Sequence, residues 1–201
     1  MEQQKVKKSV LRLEKIKSTA LELFLKKGYE ETNLRDIIAI SGGSFSDIYK
    51  KFTNKQGLFF SLISDIIQET HQKDLQNLNK KLDLREFLYA FTKNFIDILG
   101  NERDLALFKL ILSQLHNSQN KALVEFFEKN QEISPEQVLM TYFKSCKGAL
   151  GKDSQRYAKL FLHILRGYTV EKVVLNAPLM SEKERKEYTE FVVEFFLKAV
   201  S

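Results

Sequence analysis

Two short stretches of helical periodicity, Leu34-Ile37-Ile38 and Phe45-Ile48-Phe52, are separated by only Ser41-Gly42-Gly43. A three-residue turn containing glycine lets two helices cross steeply. Helix-forming signals bracket it. Thr32 or Asn33 is placed to cap the first of the pair. Ser44 opens the second, and Asp47 three residues on completes a capping box with Asp in place of the usual Glu. Asn54 caps a further helix beginning at Lys55. Upstream, Leu13, Ile16, Ala20, Leu23 and Phe24 recur at spacings of three and four, marking a first amphipathic helix that ends at Gly28. This is the layout of a helix-turn-helix, whose second helix enters the major groove of DNA.

The groove-facing end of that helix is its N-terminus, where free backbone N–H groups and the Ser44 hydroxyl meet phosphate. Phe45 suits a thymine methyl, Ser46 either base type, and Asp47 a cytosine amino group unless the cap consumes it. Tyr49 and Lys55 are placed for phosphates. Thr32, Asn33, Lys50 and Lys51 complete the candidate DNA-binding set. Charge agrees: residues 1–60 hold 12 Lys or Arg against 7 Asp or Glu, so most of the chain's net +6 lies at this end.

Beyond residue 55 almost every window reads as helix, with segments near 84–99, 103–116, 119–132, 135–147, 153–175 and 182–199. Gly 8 and Pro 2 in 201 residues leave few breakers, and no alternating run demands a strand. The expected fold class is all-α, with about nine to ten helices. Residues 1–55 form the helix-turn-helix domain and residues 56–201 a larger helical domain. Cys146 is the only cysteine, which excludes an intrachain disulfide and suits a reducing cytoplasm. It reads as a small buried hydrophobe rather than a redox sensor. No apolar run approaches the roughly 20 residues of a membrane span, and no signal peptide is visible. The histidines fall singly at 71, 116 and 163, without metal-ligand spacing. No phosphate-cradling loop exists either, because Gly42-Gly43 belongs to the turn. An enzyme, a cofactor and a metal are therefore not expected.

Gly28-Tyr29, Thr32, Asp36-Ile37-Ile38, Ser41-Gly42, Ser44, Ile48-Tyr49, Phe52, Lys55 and Leu58 follow one another at the spacings of the TetR family of bacterial regulators. The stretch over about residues 12–62 closely resembles that family's N-terminal domain. Within the family the chain is most similar to CmeR-type repressors of multidrug efflux pumps, through Leu21-Glu22-Leu23-Phe24-Leu25, Ser41-Gly42-Gly43-Ser44, Gly57-Leu58-Phe59-Phe60, Asn176-Ala177-Pro178-Leu179 and Glu190-Phe191-Val192-Val193. One departure stands out. Gly43 occupies a position where most members carry Val or Ile, a loss of about 1.5–3 kcal/mol of burial. The expectation is a third helix that is partly disordered until DNA orders it.

The resemblance implies that residues 56–201 sense a ligand and form a homodimer. The helices near 153–175 and 182–199 are the expected dimer pair, through Leu160, Ile164, Val174, Phe191, Phe195 and Leu197. Two half-sites one helical turn apart, roughly 34 Å, demand a two-fold reader of double-stranded operator DNA. A ligand cavity is expected between the helices spanning 84–175. Its apolar lining would come from Phe87, Phe91, Phe95, Phe108, Ile111, Leu112, Phe143, Phe161 and Leu162. His163 and Arg166 share a helix face and would hold a hydrophobic or amphipathic effector, an anionic one included. The implied function is a ligand-responsive repressor in the cytoplasm. An activator of the same type and a helical protein-interaction module without specific DNA binding are the alternatives.

Overall fold

Local capping decides where the helices of the N-terminal region begin. Asn33 Oδ1 accepts a bond from Asp36 N, opening α2 (Leu34–Ser41). Ser44 Oγ accepts from Asp47 N while the Asp47 carboxylate accepts from Ser44 N, the reciprocal box that opens α3 (Phe45–Phe52). Between them Gly42 has φ +71°, the left-handed conformation that glycine reaches without a Cβ penalty. Before them runs α1 (Glu2–Lys27), a single helix of 26 residues.

The computed structural model describes residues 2–79, 82–98, 100, 102–116, 121–130, 134–175 and 177–200. Asn176, part of the likeness to efflux repressors, and the ends of the helix expected over 119–132 lie outside them. The described residues form eleven helices and no strand. After α3 come α4 (Lys55–Asn79), α5 (Leu84–Asp97), α6 (Glu102–His116), α7 (Lys121–Lys129), α8 (Pro135–Lys144), α9 (Gly148–Lys152), α10 (Ser154–Val173) and α11 (Glu182–Val200). The helix expected to run to 147 stops at Lys144, and the five-residue α9 follows. So short an element carries too few apolar positions to show a period.

The chain divides into two units. Met1–Ile66 and Leu110–Phe126 make the first, and Ile67–Lys109 and Phe127–Ser201 the second. The first therefore extends past residue 55 and recruits a segment distant in sequence. Its core holds Ile16, Ala20, Phe24, Ile37, Ile48, Phe52, Leu58 and Phe59. Phe24, Tyr29 and Phe59 meet at centroid distances of 5.0–5.6 Å, and Phe126 stacks on Phe60 at 5.0 Å. At Gly57 a Cβ would lie 1.8 Å from the Phe52 carbonyl oxygen, so only glycine lets α4 start this close to the end of α3.

The second unit is built around phenylalanine. Phe87, Phe91, Phe143, Phe161 and Phe196 are buried with Leu88, Leu139, Leu162 and Val192. Tyr142 stacks on Phe87 at 3.7 Å and donates its hydroxyl to Leu82 O at 2.8 Å. Burial pushes its pKa up to about 12. Asp97 of α5 accepts a bond from Arg185 Nε of α11 at 3.2 Å.

Candidate nucleic-acid interface

Ile48 and Phe52 point α3 into the first unit, and Ile37 does the same for α2. That orientation leaves the other face of α3 in solvent. Phe45 is 43% exposed and Tyr49 57%, their rings 26° apart with centroids at 6.4 Å. Ser46, Lys50 and Lys51 are exposed beside them. The exposed surface of α3 thus presents Phe45 and Ser46 in its first turn, Tyr49 one turn on, and the Lys50 and Lys51 ammonium groups in its last turn.

Asp47 stands in the first turn of α3, but its carboxylate is engaged. Oδ2 accepts from Ser44 Oγ at 2.8 Å and from Ser44 N at 3.1 Å, and Arg12 Nη1 lies 3.5 Å away. The Ser44 hydroxyl bond, and then the Arg12 charge, hold its pKa below the ordinary carboxylate value. The carboxylate thus serves the cap first. Arg12 was not visible as a participant from the turn motif alone. The signal that locates it is its register on α1, four residues before buried Ile16.

Two of the expected DNA contacts are engaged within the protein. Thr32 is fully buried, and its hydroxyl donates to Gly28 O at 2.8 Å. Lys55 donates Nζ bonds to the carbonyls of Tyr29 (2.9 Å), Thr32 (3.0 Å) and Glu30 (3.3 Å), and lies 4.4 Å over the Tyr29 ring. Its ammonium holds the loop between α1 and α2. Asn33 remains exposed, with its amide divided between the cap and Asp36 Oδ2.

A Cβ at Gly43 would meet Ile16 Cδ1 at 2.8 Å. Ile16, fully buried, already supplies apolar contact at the turn, so the absent side chain leaves no equivalent void.

The residues expected to line a ligand cavity are distributed differently. Phe87, Phe91, Phe143, Phe161 and Leu162 are core of the second unit, with Phe95 half-buried against them. Phe108 is half-buried in that unit, whereas Ile111 and Leu112 belong to the first. His163 and Arg166 are exposed on α10 and do not face the phenylalanine core. Cys146 is half-buried, its thiol directed at Tyr142 O (3.7 Å) and its pKa raised by burial. Of the expected dimer residues, Leu160, Val174, Phe191 and Phe195 are exposed, while Ile164 and Leu197 pack partly against the core. No helix among the described residues is long and apolar enough to cross a membrane.

Residues 16–62 match the model of the tetR family of bacterial regulatory proteins. The chain is 26% identical over 200 residues to the HTH-type transcriptional regulator YvkB of Bacillus subtilis, covering 93% of this chain and 96% of that one. A TetR-family regulator from Mesorhizobium loti superposes with a TM-score of 0.73 at 19% identity, over 95% of this chain and 97% of that one. FadR from Bacillus subtilis, solved with stearoyl-CoA, gives 0.71 at 16% identity over 93% and 98%. At such identities the solved structures speak to the fold alone.

Proposed function

We propose that this TetR-family DNA-binding transcription regulator is a repressor that binds a palindromic operator as a homodimer and is released by an amphipathic small molecule. The capped α3, with Phe45, Ser46, Tyr49, Lys50 and Lys51 exposed along it, carries the reading. Base edges are read by Phe45 and Ser46 and phosphates by Tyr49, Lys50 and Lys51.

Dimerisation is supported by the outer faces of α10 and α11. Phe191 is 69% exposed and Phe195 57%, stacked on each other, and Leu160, Val170, Val174 and Leu175 are at least half exposed. Apolar side chains of this size gathered on two helices mark a surface that a partner covers. A two-fold partner would also set the half-site spacing.

The effector class rests on the fold shared with the stearoyl-CoA complex of FadR, a ligand with a long apolar chain and an anionic head. The segments similar to CmeR-type repressors support an efflux-pump gene as the target and the cytoplasm as the place of action. An effector releases DNA only through its differential affinity for two states of the dimer. A coupling of about 1–3 kcal/mol gives roughly 5–150-fold release.

The test is a titration of the purified protein with a short duplex from its own upstream region, at two salt concentrations, with and without stearoyl-CoA. Tight binding that weakens with salt and is released by the thioester supports the whole reading. Binding indifferent to the thioester leaves the reader and removes the effector class. Binding no tighter than to unrelated duplex overturns operator recognition.

A further inference from the structure

We infer that the first turns of α1 form a second DNA contact, a cationic ridge that grips duplex phosphates flanking the stretch read by α3. The inference rests on the DNA-binding reading above and adds a surface outside the helix-turn-helix. From Ile16 onward the inward face of α1 is the stripe Ile16, Thr19, Ala20, Leu23 and Phe24, all buried. Followed backwards at a spacing of four, the same stripe continues as Arg12 and Lys8, both exposed. The face that is apolar where it meets the core turns basic where the core ends.

The place of that change is fixed by two contacts. Ile16 lies against the turn at Gly43, and Arg12 reaches Asp47 in the first turn of α3. At Arg12, therefore, α1 passes the N-terminus of α3, and its preceding turns run on beyond it. Residues 8–15 are exposed apart from half-buried Leu13, so this part of the helix is not needed to close the core. Its composition is one-sided: Lys5, Lys7, Lys8, Arg12, Lys15 and Lys17 stand against Glu2 and Glu14 in the first 17 residues. Lys17 is excluded from the ridge, because Asp65 holds it at 2.8 Å.

The partner that fits is duplex phosphate. From Arg12 to Lys8 the helix rises roughly 6 Å. That length of duplex axis carries about three to four phosphate charges. With α3 seated by its N-terminus in the major groove, a helix passing that terminus meets the adjoining backbone. Arg12, parked on Asp47 in the free protein, lies within reach of the same phosphates as the Ser44 cap.

The test measures affinity for a random-sequence duplex of about 30 base pairs by fluorescence anisotropy over a range of KCl concentrations. Random sequence isolates the phosphate contribution. In the variant carrying Lys8→Gln and Arg12→Gln, the slope of log K against log salt becomes shallower by about 1.8, and in the Lys8→Gln single variant by about 0.9. Glutamine keeps helix propensity close to that of lysine and arginine, so far-UV circular dichroism stays unchanged. Lys183→Gln, at the start of α11, leaves the slope as it was. A steep wild-type slope that both variants retain overturns the ridge while DNA binding stands. A wild-type protein without salt-dependent duplex binding overturns the DNA-binding reading, and the ridge with it.

Discussion

Ile16 Cδ1 lies 2.8 Å from the point that a Cβ on Gly43 would occupy. The turn of the helix-turn-helix is thus packed from α1, by a residue 27 positions earlier, rather than by its own side chain. Gly43→Val inserts volume against a fully buried isoleucine and should destabilise the protein by about 1–3 kcal/mol. In an Ile16→Ala background the same substitution fills space that the alanine vacates and should cost less. Urea unfolding of the four proteins checks this. Additive effects would show that the two positions do not share one space.

Lys55→Met keeps the aliphatic stem and removes three carbonyl bonds and the contact with the Tyr29 ring. The expected cost is about 1–3 kcal/mol, seen as a lower urea midpoint with unchanged m-value. The salt dependence of DNA binding should not change, since the ammonium serves the fold. A shallower slope would return Lys55 to the list of phosphate contacts.

Phe45→Ala should weaken binding to a duplex selected from the chain's own upstream region by about 1–3 kcal/mol, while the slope against salt is kept. Competition between selected and random duplex measures the loss. Equal loss on both duplexes would make Phe45 a general rather than a base-reading contact.

The Ser44 bond and the Arg12 charge lower the pKa of Asp47 in the folded protein. A lowered carboxyl favours folding once the unfolded group is ionised, above about pH 4, and that contribution is lost as pH falls through the folded value. Wild-type stability should therefore drop more steeply below about pH 4 than that of Asp47→Asn. Urea midpoints at a series of pH values test it, and parallel curves would detach Asp47 from the acid transition.

Replacing both Phe191 and Phe195 by glutamate should give a monomer in sedimentation at concentrations where the wild type is a dimer. Both side chains are more than half exposed, so helicity should be kept. An unchanged sedimentation coefficient would move the dimer interface elsewhere.

Much of the reader was legible in the sequence because its signals are local. A cap joins residues three apart, so Ser44 and Asp47 announced α3 without reference to the rest of the chain. The apolar period of Ile37, Ile48 and Phe52 likewise named the buried side of α2 and α3, and with it the exposed one. The C-terminal phenylalanines were visible as helical stripes, but a stripe does not say whether its residues pack a core or line a cavity. Only packing against Phe196 of α11 identified Phe143 and Phe161 as core.

The sequence by itself determined the all-helical class, the position of the turn and which face of α3 is exposed, because helix period and capping depend on neighbours within a turn. Tertiary structure alone decided what each polar group does. Lys55 and Thr32 look like phosphate contacts until the loop carbonyls 23–26 residues away and the Gly28 carbonyl claim them. Arg12 looks like an ordinary surface charge until Asp47 appears beside it. A side chain's partners are set by which distant segments the core draws together, and no local pattern records that.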